Sequence, residues 1–515
     1  MIITRDVINK NIKFYDYDIL TSKSFEYDFN YLSKCIDLYK NFLLLSGIQP
    51  QKTVIIGEDI GIWQVAALFA CYELGLTVIV FDLFNINLYV HKKTPNLLNL
   101  DVNYNNTIQN LLPIDYFILS YKRLPVEKEI STKHYYTIQY ANKTLVRYFD
   151  HDDVNKSKIC NTVLSQKEFI LTKSLTSGTS GAPKCIQHTH EFLYSLMYRN
   201  SKQFYGKYIN TRSLNHGSSI FCYLMPAIIS KNVTHFYLVK GFPITYLDPN
   251  THITEKKDKE TFIIFEERIL KTIEFCNSIG GADHISTCDA SVCEAMFKQI
   301  KSNYFSRTNI HVLSYIKSEW VDNYYKTGII GDIISNFGSN ETTGPVFLNK
   351  ASDKNFSETL YRKNDDYFDV KIVDAGVEVS MPVYNKTITM TDKFVLENDR
   401  YNHQGRSDLL RINDLQINFK DYTSICNEYF NSNLIIDQIK SEIYLAIWEE
   451  VNFSLEIRMK IYKLNRRLVK ISEGKHKISK YNILKYSEYF SGIKIDMESL
   501  RDYFRNPNET YKKLT

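Results

Sequence analysis

The chain lacks several features that would settle its class outright. Its nine cysteines, at 35, 71, 160, 185, 222, 276, 288, 293 and 426, are odd in number, scattered and without a C-x-x-C pair. They read as reduced thiols in a cytoplasmic protein rather than as a disulfide framework. Charge of one sign is scarce: 63 Lys and Arg against 58 Asp and Glu leave +5 over 515 residues. That near balance does not by itself point to nucleic acid. An uninterrupted apolar span of membrane length is missing too. The most apolar region, Ile62 to Phe81, contains Gln64 and Glu73 and is broken at Gly75, which suits a buried helix followed by a strand. The polar, charged opening from Met1 to Phe14 leads to the expectation of no secretory signal.

What is present is ample core material, 44% hydrophobic and 14% aromatic, in a chain long enough for about two to four domains. Leu32, Ile36, Tyr39 and Leu43 fall at helical intervals within Tyr31 to Leu45, and Gly47 ends that helix. Thr53 to Gly57 reads as a strand, Ile62 to Leu74 as a helix and Thr77 to Phe81 as a second strand. This strand, helix, strand unit marks a parallel sheet with helices packed on it. Residues 85 to 165 carry few signals beyond a strand at Tyr116 to Leu119. A helix is expected over His188 to Leu196, with an apolar segment at Leu214 to Ile229.

Between these lies Leu171 to Lys184, L-T-K-S-L-T-S-G-T-S-G-A-P-K. A strand-like start feeds a loop in which Thr176, Ser177, Thr179 and Ser180 alternate with Gly178 and Gly181, and Lys184 closes it. Glycines let backbone N–H groups converge on an anion, hydroxyls add donors and one lysine adds a mobile charge, so the loop suits a polyphosphate. The two glycines are too close for G-x-x-x-x-G-K-[ST], which argues against an ordinary P-loop NTPase. A plain Ser/Thr/Gly surface loop is the competing reading of this stretch alone.

Further along, Ile333 to Gly344 reads I-I-S-N-F-G-S-N-E-T-T-G, a strand running into a turn; T-M-T-D ends at Asp392, G-R-S-D spans Gly405 to Asp408, and I-S-K-Y-N-I-L-K ends at Lys485. Taken in this order, the five motifs resemble those of the acyl-adenylate-forming superfamily: acyl-CoA synthetases, luciferases and the adenylation domains of nonribosomal peptide synthetases. The resemblance implies an α/β fold with a large N-terminal domain of parallel-sheet α/β subdomains plus a small β-rich part, and a small mobile α+β C-terminal domain. It places the large AMP-binding domain at 1–404, a hinge at 405–408 and the small domain at 409–515.

By the same resemblance, Thr176 to Gly181 and Lys184 hold the phosphates of ATP, Phe337 and Gly338 lie at the adenine, and Asn340 donates to a phosphate oxygen. Glu341 holds Mg²⁺, a hard cation suited to carboxylate and phosphate oxygens. Asp392 accepts from the ribose hydroxyls, Arg406 reaches ribose or phosphate, and Asp408 is the hinge residue. Lys485 falls on the catalytic lysine, which with Lys184 neutralises charge as the α-phosphate is attacked. His216 and Asn336 fall in the acyl pocket, although a histidine satisfied within a packed core is the somewhat better-supported reading of His216. The implied reaction joins ATP and a carboxylic acid into an acyl-adenylate with release of pyrophosphate. The acyl group then passes to CoA, a carrier-protein phosphopantetheine arm or an amine.

Departures from the pattern leave a second class of function open. Asn340, Asp414, Ser479, Tyr481 and Leu484 stand where the superfamily has threonine, glycine, proline, threonine and glycine, so the thioester half-reaction is less well supported than adenylation. The alternative is a degenerate member that binds a nucleotide or partner without turnover. A basic span from Arg458 to Lys485, opposed only by Glu473, reads as a solvated face or as a docking surface for an anionic partner.

Overall fold

The computed structural model describes residues 2–57 and 61–80 apart from 20, the strands at 88–90, 98–100, 116–120, 134–140 and 143–149, and then 151–175, 185–212, 219–240, 258–286, 290–312 and 315–406 with a few internal positions excepted. Beyond these it describes 411–412, 415–416, parts of 422–437, 442–447, 455–471, 478–484, 490–491, 494–495 and 503–504. The chain divides into two compact units. The first comprises 1–370, 379–388 and 396–402; the second comprises 371–378, 389–395 and 403–515.

The first unit opens on the hairpin β1 (Lys13–Asp18) and β2 (Lys23–Asp28), followed by α1 (Phe29–Leu45). Asp28 caps α1 by accepting from the Tyr31 N–H at 2.7 Å. Gly47, at φ +74°, ends it, as its sequence position anticipates. The expected strand, helix, strand unit follows as β3 (Thr53–Gly57), α2 (Ile62–Glu73) and β4 (Thr77–Val80). Every residue of α2 is buried, which is why its polar members need partners.

Five more strands complete the first sheet: β5 (Tyr116–Ser120), β6 (His134–Tyr140), β7 (Lys143–Phe149), β8 (Ile170–Leu175) and β9 (Cys185–Thr189). Their order is β9-β8-β4-β3-β5-β6-β7, with β8, β4, β3 and β5 mutually parallel. The helix expected from His188 begins instead at His190, as α3 (His190–Ser201). His188 and Thr189 still pair with β8, and Thr189 becomes the N-cap, accepting from the Phe192 N–H at 3.4 Å.

The second, larger sheet takes β1 and β2 together with β10 (Gly206–Asn210), β11 (Val233–Lys240), β12 (His284–Ser286), β13 (Asn309–Val312), β14 (Asp332–Phe337), β15 (Phe347–Lys350) and β16 (Leu360–Lys363). These run in the order β2-β1-β11-β10-β12-β13-β14-β15-β16, parallel from β1 to β14. One face is apolar: Ile209, Ile285, Ile310 and Ile333 pack on α4 (Asp258–Ser278) and α5 (Ala290–Gln299) through Ile269, Ile273, Val292 and Met296. The other face carries Asn210, His284, Ser286 and His311 among Tyr208, Phe236, Leu238 and Ile334, and holds the polar cluster described below.

In the second unit, β17 (Ser432–Asp437), β18 (Glu442–Ile447), α6 (Leu455–Ile471) and β19 (Ile478–Ile483) form a three-stranded sheet crossed by a helix. Ile457, Ile461, Leu464 and Leu468 repeat every three or four residues and are the buried stripe of α6. No described helix is long and apolar enough to cross a membrane. The α/β architecture anticipated from the motifs is therefore present.

A buried charge cluster ties the start of the chain to both first helices. Glu73, 2% exposed, accepts from Arg5 Nε and Nη2 at 2.8 Å each, from the Arg5 backbone N–H at 2.9 Å and from Lys40 Nζ at 2.5 Å. Arg5 also pairs with Asp37 at 2.7 Å, and Lys40 donates to the Cys160 carbonyl at 2.7 Å. Burial alone would raise the Glu73 pKa, but Arg5 and Lys40 outweigh it and hold the carboxyl below its ordinary range.

Glu73→Gln should lower stability by about 3–5 kcal/mol in urea unfolding, because it leaves the buried Lys40 ammonium without its carboxylate and takes one of two carboxylates from Arg5. Glu26→Gln, which breaks the exposed pair with Lys13, should leave the midpoint unchanged. His190 supplies a pH dependence. Its Nδ1 accepts from the Ile3 N–H at 3.0 Å, so Nε2 carries the proton toward Ser165 Oγ at 2.6 Å, and burial lowers its pKa from 6.5 to about 4. Protons therefore bind the unfolded chain first, and stability should fall as pH drops from about 6.5 to about 4. Unfolding midpoints measured across that window should flatten in His190→Gln.

Candidate functional site

Two of the segments singled out by sequence leave the carboxyl ends of parallel strands, the edge where open α/β sheets bind ligands. β8, parallel to β4, delivers the chain to residue 176, and β9 takes it back antiparallel from residue 185, with Leu175 opposite Cys185 as the last pair. The 176–184 loop is thus closed at its base by a hairpin. Thr176, Ser177, Gly178, Thr179, Ser180, Gly181 and Lys184 themselves lie outside the described residues. So do His216, Asn340, Glu341, Asp408, Asp414 and Lys485.

The second segment follows β14. Phe337 is the last residue of that strand, its ring 5.7 Å from Tyr361 and 6.2 Å from Phe347. Gly338 then passes so close to the returning chain that a Cβ would lie 2.3 Å from the Gly344 carbonyl oxygen. Thr342, fully buried, fastens the turn. Its Oγ1 lies 3.0 Å from the Ser339 and Gly344 carbonyls and accepts from the Ser339 N–H at 3.0 Å. The Val346 N–H closes the turn onto the Phe337 carbonyl at 2.9 Å. The chain on both sides of Asn340 and Glu341 is therefore fixed by its own bonds.

Behind the turn lies the polar face of the large sheet. Asn336, on the same strand, donates from Nδ2 to the Tyr223 hydroxyl at 2.8 Å. Arg212, fully buried just past β10, lies over the Tyr223 ring at 3.9 Å and donates to the His311 carbonyl at 3.3 Å. His311 Nε2 and His284 Nδ1 are 3.1 Å apart, and burial lowers the pKa of both rings, to about 3 for His284. Both histidines are thus neutral at pH 7, one donating to the other. Burial also raises the pKa of Tyr223, which keeps its phenol protonated.

The remaining described candidates belong to the second unit. Asp392 Oδ1 is 3.2 Å from His403 Nε2, so this carboxylate has a protein partner that the T-M-T-D motif does not announce. Arg406 lies in the strand Arg400–Arg406, and its side chain is outside the described residues. β19 ends at Ile483, and the Leu484 N–H bonds to the Ile447 carbonyl at 2.9 Å, immediately before Lys485. Tyr223, Arg212, Thr342 and His403 are the site neighbours that motif reading passes over. Only Thr342 carries a sequence signal, as the hydroxyl of a G-S-x-x-T turn.

The donor chemistry of the turn suits Mg²⁺. Thr342's hydroxyl is consumed within the turn, leaving the carboxylate of Glu341, and Mg²⁺ is commonly held by one or two carboxylates together with substrate phosphates and water.

Two largely parallel sheets, each with a Gly/Ser/Thr segment leaving the carboxyl end of one of its strands, define the class as an open α/β fold, in which ligands bind at that edge. More narrowly, the chain has the fold of the acyl-adenylate-forming enzymes. It superposes on a structure of fatty acyl-adenylate ligases from E. coli and L. pneumophila with a TM-score of 0.67 and 12% identity, covering 99% of this chain and 98% of that one. McyG A-PCP complexed with phenylalanyl-adenylate gives a TM-score of 0.64 at 13% identity, covering 98% and 96%. The O-succinylbenzoate coenzyme A synthetase MenE of Bacillus subtilis, with ATP and magnesium ion, gives 0.62 at 14%, covering 96% and 97%. No protein-family model and no curated protein matches the sequence itself.

Two substitutions test the turn. Gly338→Ala forces a backbone shift, and Thr342→Val leaves the Ser339 N–H unpaired. Each should cost about 1–3 kcal/mol in thermal unfolding of the first unit.

Proposed function

We propose that the protein activates a carboxylic acid: the acid's oxygen attacks the α-phosphorus of ATP, the bond to the β-phosphate side breaks, and acyl-adenylate and pyrophosphate result. The observation that carries this reading is that the 176–184 and 337–344 segments both emerge from carboxyl ends of parallel strands. Fold likeness to adenylate-forming enzymes over nearly the whole chain supports it. A carboxylate resists thiols and amines until its oxygen becomes a leaving group, and AMP serves as one. An attacking thiol, of CoA or a carrier protein, or an amine would then take the carbonyl carbon and release AMP.

In this reading Thr176 to Gly181 cradle the phosphates, Phe337 and Gly338 border the adenine, and Asn340 donates to a phosphate oxygen. Glu341 would hold Mg²⁺, which when bound offsets phosphate charge. Asp392 and Arg406 serve the ribose side. Lys184 and Lys485 neutralise charge that develops at the α-phosphate, a role for fixed positive groups in a partly desolvated site. We assign the large domain to 1–404, the hinge to 405–408, with Asp408 within it, and the small domain to 409–515.

Exchange of labelled pyrophosphate into ATP, measured across a panel of carboxylic acids, should be acid-dependent. It should fall by about a hundredfold or more in Lys485→Ala. Failure to bind ATP would overturn the reading. ATP binding without exchange, together with a biochemical effect unchanged in Lys184→Ala and Lys485→Ala, would favour the degenerate alternative.

A further inference from the structure

The excess positive charge of the chain is concentrated on one helix. α6 carries Arg458, Lys460, Lys463, Arg466, Arg467 and Lys470 against Glu456 alone, an excess that equals the +5 of all 515 residues. A basic span of this kind is either a solvated face or a docking surface. What separates the two is what else stands on the same side of the helix.

With about 100° of turn per residue, the buried stripe of Ile457, Ile461, Leu464 and Leu468 puts Met459, Lys463 and Arg466 on the opposite crest. Tyr462 and Val469 fall on one shoulder of that crest, Lys460 and Arg467 on the other. The second shoulder is turned to the protein: Lys460 Nζ lies 5.9 Å from the centre of the Phe430 ring, and Arg467 pairs with Glu428. On the crest, Lys463 and Arg466 are exposed and have no carboxylate partner among the described residues. The Arg466 guanidinium lies 5.9 Å from the centre of the Tyr462 ring instead. Met459, Tyr462 and Val469 are 55%, 64% and 37% exposed. Single exposed apolar side chains are ordinary on a protein surface. Three on one side of a helix, set among cations without counter-charges, form an amphipathic surface of their own.

We infer that this side of α6 docks on an anionic lipid bilayer. The helix lies along the surface, with Met459, Tyr462 and Val469 entering the headgroup boundary and Lys463 and Arg466 reaching lipid phosphates. The aliphatic stems of the two cations lie along apolar material while their charged ends stay in the headgroup layer. The crest is convex, and a fluid bilayer conforms to it, whereas a folded acidic protein would have to present a matching groove. A nucleic acid would pair with the cations but give Met459 and Val469 no apolar partner, and one tyrosine is not a stacking ladder. The inference does not depend on the adenylation reading.

The test is co-sedimentation of the full chain with vesicles of phosphatidylcholine alone and of phosphatidylcholine mixed equally with phosphatidylglycerol. Binding should be confined to the mixed vesicles and weaken as salt rises. Lys463→Glu combined with Arg466→Glu should weaken it by about a hundredfold or more, since each charge near an anionic surface changes affinity about fivefold. Lys298→Glu combined with Lys326→Glu, at exposed ion pairs of the first unit, alters net charge equally and should leave binding unchanged. Should the crest reversal fail to fold, Lys463→Gln with Arg466→Gln gives the same readout at about a twenty-five-fold loss. Met459→Trp should shift its emission to the blue on addition of mixed vesicles, which attachment by charge alone does not produce.

Absence of binding to the mixed vesicles, binding that the crest variants do not weaken, or binding without the blue shift would overturn the inference. So would tighter binding of polyuridylate or polyglutamate than of mixed vesicles, lost in the crest variants, which would give the face to a nucleic acid or an acidic protein instead.

Discussion

Glu73 is the point on which the first unit turns. A carboxylate only 2% exposed is tolerated because four donor groups on two cations converge on it, and those cations come from separate parts of the chain. Arg5 brings the N-terminal segment, Lys40 brings α1, and through Lys40 the Cys160 carbonyl brings the approach to β8. Replacing the cluster with apolar side chains could be neutral in energy, since desolvation offsets much of the attraction. What the charges add is direction. Bidentate geometry from Arg5 admits one arrangement of segment and helix, and the strand that leads to the 176–184 loop is placed with them.

The large sheet shows why a site forms where it does. In β10, β12 and β13 the alternation puts Ile209, Ile285 and Ile310 on one side and so obliges Asn210, Ser286 and His311 to the other; in β14 Ile334 continues that second row and Asn336 lies one pleat further along. Burying that polar side under residues 219–229 demands hydrogen bonds within the layer, and neutral histidines meet the demand without unpaired charge.

Much of the fold was legible because its signals are local. Thr53 to Gly57, the α2 helix and the β14 strand into its turn follow from periodicity and glycine placement alone. The start of α3 was displaced by two residues, since a strand pairing with β8 outcompeted the helix at His188 and Thr189. The hairpin of β6 and β7 was missed in the stretch taken as nearly featureless, although H-Y-Y-T-I-Q-Y and K-T-L-V-R-Y-F are rich in aromatic and β-branched residues around Ala141 and Asn142. Of the site, the motifs supplied the turn and its neighbours. Tyr223, Arg212 and His403 were illegible because they reach Asn336, His311 and Asp392 through tertiary contacts, across 113, 99 and 11 residues of chain respectively.

The turn after β14 also bears on how a ligand would be held. Its shape depends on Thr342, on the close passage of Gly338 and Gly344 and on the Val346 bond, all internal to the protein. The ordering entropy of that segment is therefore spent on folding, and binding need not supply it again. Rigidity at the turn thus has a local cause: β14 ends at Phe337, and the bonds of Thr342 and of the Val346 N–H hold the described backbone just beyond it.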